Sequence, residues 1–166
     1  MLIDFAFKSV EKRNLDEMTK FILEQNLGYV NHFNWIEKAR VELSSGYKEG
    51  ILAYNNGIII GDIIFQEHKE FPKVGEIKNI RVHPELRDRK VASFMLRQAE
   101  LEMPYSAIIV DARANQQDMI SFLIANGYVC IGKRALYDDN NEDVIMIKVK
   151  EEKGIVSLVK NHFDLN

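Results

Sequence analysis

The residues most able to do chemistry lie between Glu76 and Leu96, in the stretch EIKNIRVHPELRDRKVASFML. This pattern predicts a strand, a turn bounded by Pro84, a basic loop over Arg87–Lys90 and then a helix. A helix N-terminus presents unpaired N–H groups and a partial positive charge, which together bind phosphate groups well. Small Ala92 and Ser93 let a ligand approach the backbone. The segment therefore predicts a pyrophosphate site, and the alternative is a solvated, charged helix start.

The apolar periodicity of the chain predicts the elements that must position this loop. Helices are expected after Asn14, around Ile36–Leu43, over Arg89–Met103 and over Gln116–Asn126. Strands are expected at Leu2–Val10, Ile51–Tyr54, Ile58–Gln66, Gly75–Val82, Ala107–Asp111, Tyr128–Lys133 and Val144–Val149, with a hairpin turn at Asn55-Asn56-Gly57. The order β α α β β β α β α β β contains β–α–β units, which predict a mixed, partly parallel sheet with helices on both faces.

Length, charge and cysteine content exclude several classes of protein. A chain of 166 residues predicts one domain. The net charge of −3 argues against a nucleic-acid binder held by bulk electrostatics. The single cysteine, Cys130, excludes an intramolecular disulfide and is expected to be a small buried hydrophobe in an apolar strand. The scattered histidines predict no metal site. No apolar run reaches the roughly 20 residues of a membrane span, and we expect a cytoplasmic protein.

The pattern changes after Gly154, where Ile155, Leu158 and Val159 have the spacing of a short amphipathic helix. We expect this helix to dock on its own domain, and a contact between subunits is the alternative.

Together these residues resemble the GNAT superfamily of N-acetyltransferases, which use acetyl-CoA. The resemblance rests on Val82-His83-Pro84 and the loop that follows, on Asn115 after the fifth strand, on Phe122 in the next helix and on Gly127-Tyr128. With the element order, it covers about residues 2–149. It implies an α/β (α+β) fold, with a mixed, mostly antiparallel central sheet, a parallel splayed pair and helices on both faces. It also implies a single acetyltransferase domain over residues 1–150 and a C-terminal amphipathic extension over 151–166.

The resemblance assigns roles in cofactor binding. The backbone amides of Arg87–Ala92 are expected to bind the CoA pyrophosphate. The backbone of Ile80 and Val82 is expected to pair with the pantetheine arm, with the Ile80 N–H facing the acetyl carbonyl, and Asn115 is expected to touch the same arm. The expected cofactor-binding residues are Ile80, Arg81, Val82, Arg87, Asp88, Arg89, Lys90, Val91, Ala92, Ser93, Asn115 and Phe122.

Two positions depart from the family pattern. Lys90 replaces the first glycine of the loop, so the backbone there is expected to be reached without a positive φ. Leu123 stands where many members carry a tyrosine, and it cannot donate a proton.

Acetyl transfer to an amine needs a base, and the leaving thiolate takes up a proton. Glu76 is the candidate base, because the two-residue period of a strand puts it on the same face as Ile80 and Val82. Tyr137, in the expected loop Leu136–Asp143, is the candidate acid. The alternatives are a glutamate on a solvated strand end, a surface tyrosine ring, and a thiolate that leaves without a dedicated acid.

The implied function is transfer of an acetyl group from acetyl-CoA to a primary amine, directly and through a tetrahedral intermediate. The acceptor is expected to be a small amine or a peptide or protein amine (an N-terminus or a lysine), with no nucleic-acid or membrane partner, and a homodimer is an expected assembly. Two other functions stay open: a non-catalytic acyl-CoA-binding sensor or interaction module of the same fold, and a phosphate-binding domain that contacts RNA.

Overall fold

The computed structural model describes residues 4–25, 28–151 and 154–165. The elements in chain order are β1 (Phe5–Ser9), α1 (Leu15–Leu23), α2 (His32–Ser45), β2 (Glu49–Asn55), β3 (Ile58–Glu67), β4 (Val74–Val82), α3 (Val91–Glu102), β5 (Ala107–Arg113), α4 (Gln117–Ala125), β6 (Val129–Asp138), β7 (Asn141–Val149) and α5 (Ile155–His162). Short 3-10 turns precede α1 and α3. The chain divides into a first unit, residues 1–66 with 78–103, and a second unit, residues 67–77 with 104–166.

The strands follow the hydrogen-bonded order β1-β2-β3-β4-β5-β7-β6. The pairs β1/β2, β2/β3, β5/β7 and β6/β7 are antiparallel. β4 and β5 are parallel, with Val74–Ile77 in register with Ala107–Val110. The expected fold class, a mixed and mostly antiparallel sheet with one parallel pair, is confirmed.

The first unit is built around α1, α2, α3 and the β2/β3 hairpin. Asn56 and Gly57 both have positive φ, the conformation that the hairpin signal predicts for a two-residue turn. In α3, Val91, Met95, Leu96 and Ala99 form a buried apolar stripe at helical spacing. Met95 lies so close to Gly61 of β3 that a Cβ there would be 2.9 Å from its Cε. α3 is therefore fixed by packing just after the basic loop.

The second unit has its own core, formed by β4, β5, β7 and α5. Val74, Ile109 and Ile147 contribute from the strands, and Ile155 and Val159 contribute from α5. α5 thus docks on the unit to which it belongs, while Leu158 is exposed. The expected double-sided burial of β5 is confirmed, since six of its seven residues are buried.

Two expectations about the last two strands are wrong. β6 and β7 are longer than Tyr128–Lys133 and Val144–Val149, and they pair as far as Asp138 and Asn141. Cys130 is exposed rather than buried, because β6 stands last in the strand order and most of its residues face solvent. An alternating apolar strand at the border of a sheet has the same sequence pattern as a half-buried inner strand.

Among the described residues, no helix combines the length and the apolar character that crossing a membrane requires.

Candidate active site

The basic loop of the first unit leads directly into the N-terminus of α3. Leu86 donates its N–H to the His83 carbonyl at 2.9 Å, which closes the turn after β4. α3 begins at Val91, and its N-cap residue, Lys90, makes no side-chain capping hydrogen bond. The first N–H groups of a helix have no partner within the helix. The start of α3 therefore fits an anionic group such as a pyrophosphate.

The loop backbone corrects the expectation for Lys90. Lys90 has φ of 64° and Asp88 has φ of 62°, so both are left-handed. The loop thus keeps the glycine-like conformation although its side chains disfavour it, at a cost of about 1–2 kcal/mol per residue. Left-handed residues in a turn direct successive N–H groups into a concave surface that suits anions.

The remaining expected cofactor residues of the first unit divide by exposure. Ile80, Arg81, Val82 and Val91 are buried, and Ala92 and Ser93 are half-buried. The four loop residues are exposed: Arg87, Asp88, Arg89 and Lys90. The Arg87 Nε–H donates to the Val82 carbonyl at 3.4 Å, so this side chain tethers the loop to the end of β4. The loop therefore exposes its backbone and its basic side chains to solvent, while the residues on either side of it, at the end of β4 and the start of α3, are buried.

In the second unit, Asn115 is exposed in the turn between β5 and α4, and Phe122 is half-buried on α4. Leu123, in the family position of a tyrosine, is 0% exposed. It is a core residue and has no proton to give.

Tyr137 lies on β6, not in a loop, because the β6/β7 hairpin continues past the expected strand ends. Its hydroxyl donates to the carboxylate of Asp111 on β5, at 3.1 Å from Oδ1 and 2.9 Å from Oδ2. Asp111 was not predicted from the sequence. The available signal was a single carboxylate that ends the otherwise apolar run Ala107–Asp111.

The strand register assembles further carboxylates around this pair. Glu76 pairs with Ile109, two residues before Asp111. Asp143 pairs with Arg113, two residues after Asp111. Because alternate residues of a strand share a face, the three carboxylates lie on one face of the second unit's strands. We call Tyr137, Asp111, Glu76 and Asp143 the carboxylate cluster.

The electrostatics of the cluster keep the phenol protonated. Removal of the hydroxyl from water raises the pKa of Tyr137, and the charge of Asp111 and its hydrogen bond raise it further. Glu76 and Asp143 act in the same direction. The residue as a whole is 49% exposed.

Asp143 is 1% exposed, and burial raises the pKa of its carboxyl group. Its Oδ2 accepts the Leu136 N–H at 3.2 Å. Arg113 makes an ion pair with Asp138 at 3.2 Å. Asp138 also accepts the Asn140 N–H at 3.0 Å, so it stabilises the hairpin turn.

Within the residues that the structure describes, no three His, Cys, Asp or Glu side chains are placed to hold a metal ion.

Comparisons with known proteins agree with this geometry. The model of the Acetyltransferase (GNAT) family matches residues 11–128. A GNAT-family protein from Desulfovibrio desulfuricans superposes with a TM-score of 0.76 at 10% identity, covering 88% of this chain and 99% of that one. The ribosomal-protein-S18-alanine N-acetyltransferase from Escherichia coli gives 0.74 at 14% identity, covering 91% and 97%.

The yncA protein from Salmonella typhimurium, solved with its cofactor acetyl-CoA, gives a TM-score of 0.70 at 11% identity, covering 90% and 95% of the two chains. The comparison with curated proteins found no match. Acetyl-CoA is the cofactor of this family. The family match spans well over half of the sequence, and the chain belongs to the acetyltransferase (GNAT) family.

Proposed function

We propose that this protein is an acetyl-CoA-dependent N-acetyltransferase that acts on a primary amine. One observation carries the choice of acceptor: three carboxylates and a phenol share one strand face of the second unit, and the phenol donates to Asp111. An amine is protonated near neutral pH, so it must be bound as a cation and then lose a proton before it can attack a carbonyl. A carboxylate cluster can do both.

The first unit supplies the proposed cofactor site. When bound, acetyl-CoA contributes an acetyl group activated as a thioester. The backbone N–H groups from Asp88 to Ala92 would hold the pyrophosphate, because the start of α3 has no side-chain cap. The Arg87 N–H, expected to join them, already donates to the Pro84 carbonyl at 3.4 Å. Ile80 and Val82 on β4 would hold the pantetheine arm, and the Ile80 N–H would polarise the acetyl carbonyl. Asn115 and Phe122 are further proposed contacts.

Glu76 is the proposed base. The Tyr137 hydroxyl donates to both oxygens of Asp111, so that carboxylate is already engaged by the phenol. Glu76 shares the strand face of the cluster and lies on β4, the strand that also carries Ile80 and Val82. Tyr137 stays the candidate acid, and its hydrogen bond adds a second role, which is to orient Asp111.

The acceptor is a small amine or an amine of a peptide or protein. An S18-alanine N-acetyltransferase among the structural neighbours supports a protein acceptor, and the cluster supports a cationic one. We also infer a cytoplasmic protein without nucleic-acid or membrane partners, able to form a homodimer.

A second function, binding of acyl-CoA without turnover, is favoured by buried Leu123 and by a phenol whose proton is held by Asp111. The test measures CoA binding by titration calorimetry and thiol release from acetyl-CoA with a panel of amines and N-terminal peptides. Turnover that depends on an amine supports the transferase. Binding without turnover over the whole panel identifies a sensor, and absence of binding overturns both functions.

A further inference from the structure

A buried polar relay in the first unit lies outside the proposed acetyl transfer, although one of its residues, Arg81, is among the expected cofactor-binding residues. It consists of Asp62 on β3 and of Asn79 and Arg81 on β4, and we call it the Asp62 relay. The Arg81 Nε–H donates to Asn79 Oδ1 at 2.9 Å, and Asn79 Nδ2 donates to Asp62 Oδ2 at 2.5 Å. Both hydrogen bonds therefore point the same way: the guanidinium of Arg81 donates to Asn79, and Asn79 donates to the carboxyl group of Asp62.

Its far end holds a helix in place. Arg81 Nη1 donates to the backbone carbonyl of Gln25, two residues after the last residue of α1. The last carbonyls of a helix have no partner within the helix, and a cation there is favourable. Gln25 and Glu24 themselves donate N–H groups back to Ile22 and Lys20 at 3.1 Å. Arg81 therefore ties the frayable end of α1 to β4.

The Asp62 end of the relay is incompletely hydrogen-bonded. Asp62 is 0% exposed, and its Oδ1 has no hydrogen-bond partner among the residues that the structure describes. A buried carboxylate oxygen without a donor is costly when charged and much less so when protonated. Burial raises the pKa of Asp62 to about 7, against the opposing effects of the Asn79 hydrogen bond and the Arg81 charge. The carboxyl group therefore changes its charge near neutral pH.

Among the described residues, charged and titratable groups from several elements act on the relay. Arg81 is the cation that acts on Asp62, and it is buried at 8% exposure. His32, at the start of α2, and Tyr29 act electrostatically on Arg81. Burial and the charge of Arg81 lower the pKa of His32, so its neutral form is favoured and Arg81 remains the cation beside Asp62.

We propose that Asp62 is a positioning residue that acts through Asn79 and Arg81 and makes the hold on α1 depend on protonation. In the protonated state, Oδ1 of Asp62 carries the proton, Oδ2 accepts from Asn79, and Arg81 keeps its hydrogen bond to the Gln25 carbonyl. In the deprotonated state, which forms when water takes up the proton, Oδ1 is a charged acceptor. It attracts the guanidinium of Arg81 towards β3, because a charged acceptor forms the stronger hydrogen bond. The end of α1 is then released.

The consequence for activity rests on the proposed function. Asn79 and Arg81 alternate along β4 with Ile80 and Val82, whose backbone is proposed to bind the cofactor arm. The Arg81–Asn79 hydrogen bond spans Ile80. A shift of Arg81 would therefore disturb the strand segment that receives CoA, and affinity would fall as the pH rises through neutrality.

Amide hydrogen exchange of the last turn of α1 tests the relay without any need for activity. After correction for the intrinsic rate, we expect the protection of the Glu24 and Gln25 amides to fall about fivefold or more between pH 6 and pH 8. Asp62→Asn replaces the carboxyl group by a neutral group of the same shape. In this variant, the protection of the two amides at pH 6 and at pH 8 should equal that of the wild type at pH 6. The control Glu49→Gln, an exposed carboxylate on β2, should behave like the wild type. An equal pH response in wild type and Asp62→Asn overturns the proposal.

Arg81→Lys provides a second test, also if Asp62→Asn does not fold. Lysine keeps the charge, but its single ammonium group cannot replace the two separate guanidinium nitrogens that donate to Asn79 and to the Gln25 carbonyl. We expect low protection at pH 6 as well as at pH 8, and full protection in this variant overturns the proposal.

The link to the cofactor is measured separately, by calorimetric titration with CoA at the same two pH values. The affinity of the wild type should fall relative to that of Asp62→Asn. If both proteins bind CoA with the same pH dependence, the link between relay and cofactor strand is wrong. If neither binds CoA at either pH, the proposed function fails, while hydrogen exchange still decides whether the relay works.

Discussion

The basic loop and the carboxylate cluster are two candidate functional regions built in opposite ways. The loop is contiguous in sequence, and its proposed function lies in backbone N–H groups presented by exposed residues. The cluster is assembled from β4, β5, β6 and β7, and its proposed function lies in side chains placed by strand register. A substitution should therefore change the loop mainly through the conformation of its backbone. In the cluster it should act mainly through the loss of a charge or a proton.

The largest effect is expected for Glu76→Gln in the cluster. Removal of the proposed base should lower kcat/KM about 100-fold or more and abolish the acidic limb of its pH profile. Steady-state kinetics over the pH range in which the protein stays folded checks this. Asp118→Asn, which neutralises an exposed carboxylate on α4, is the control and should leave the profile unchanged. If Glu76→Gln keeps the acidic limb of the wild type, another group is the base.

Tyr137→Phe separates the two roles of the phenol. The hydroxyl donates to Asp111, and a hydrogen bond to a charged group is worth about 1.5–3 kcal/mol. If the phenol only orients Asp111, kcat should fall roughly tenfold, and because the raised pKa keeps the phenol protonated, the fall should be the same at every pH up to about 9. A fall of about 100-fold or more would assign Tyr137 as the acid. Steady-state measurement of kcat distinguishes the two, and an unaltered kcat contradicts both roles.

Much of the fold follows from the sequence, because the hairpin turn, the apolar stripe of α3 and the buried run of β5 are local patterns. The loop could be predicted for the same reason: its residues are neighbours in the chain. Asp111 could not be assigned a partner, because its contact with Tyr137 depends on the register of β5, β7 and β6. The exposure of Cys130 also depends on strand order, which the residues of β6 do not encode.

The left-handed backbone at Lys90 escaped prediction for a different physical reason. A lysine disfavours positive φ, and only the surrounding structure, with Val91 and Met95 anchored in the core, keeps it there. Lys90→Gly and Lys90→Ala separate conformation from charge, since both remove the ammonium group and only glycine removes the strain. We expect the glycine variant to be about 1–2 kcal/mol more stable to unfolding than the alanine variant, because the strain of the left-handed residue disappears. Denaturant unfolding measures the difference, and equal stabilities would contradict a strained left-handed conformation at this position.

The smallest effect is expected for Arg89→Ala, an exposed side chain of the loop. If the backbone carries the binding, this guanidinium contributes only a screened attraction between exposed charges. CoA affinity should then fall about two- to threefold at low salt, and the difference should vanish near 1 M salt, where the Debye length is about 3 Å. Arg97→Ala, on the exposed side of α3, is the matched control for the loss of one positive charge. A loss of 100-fold or more that persists at high salt would mean that the guanidinium contacts the phosphates directly, and the loop would then resemble the cluster in working through a side chain.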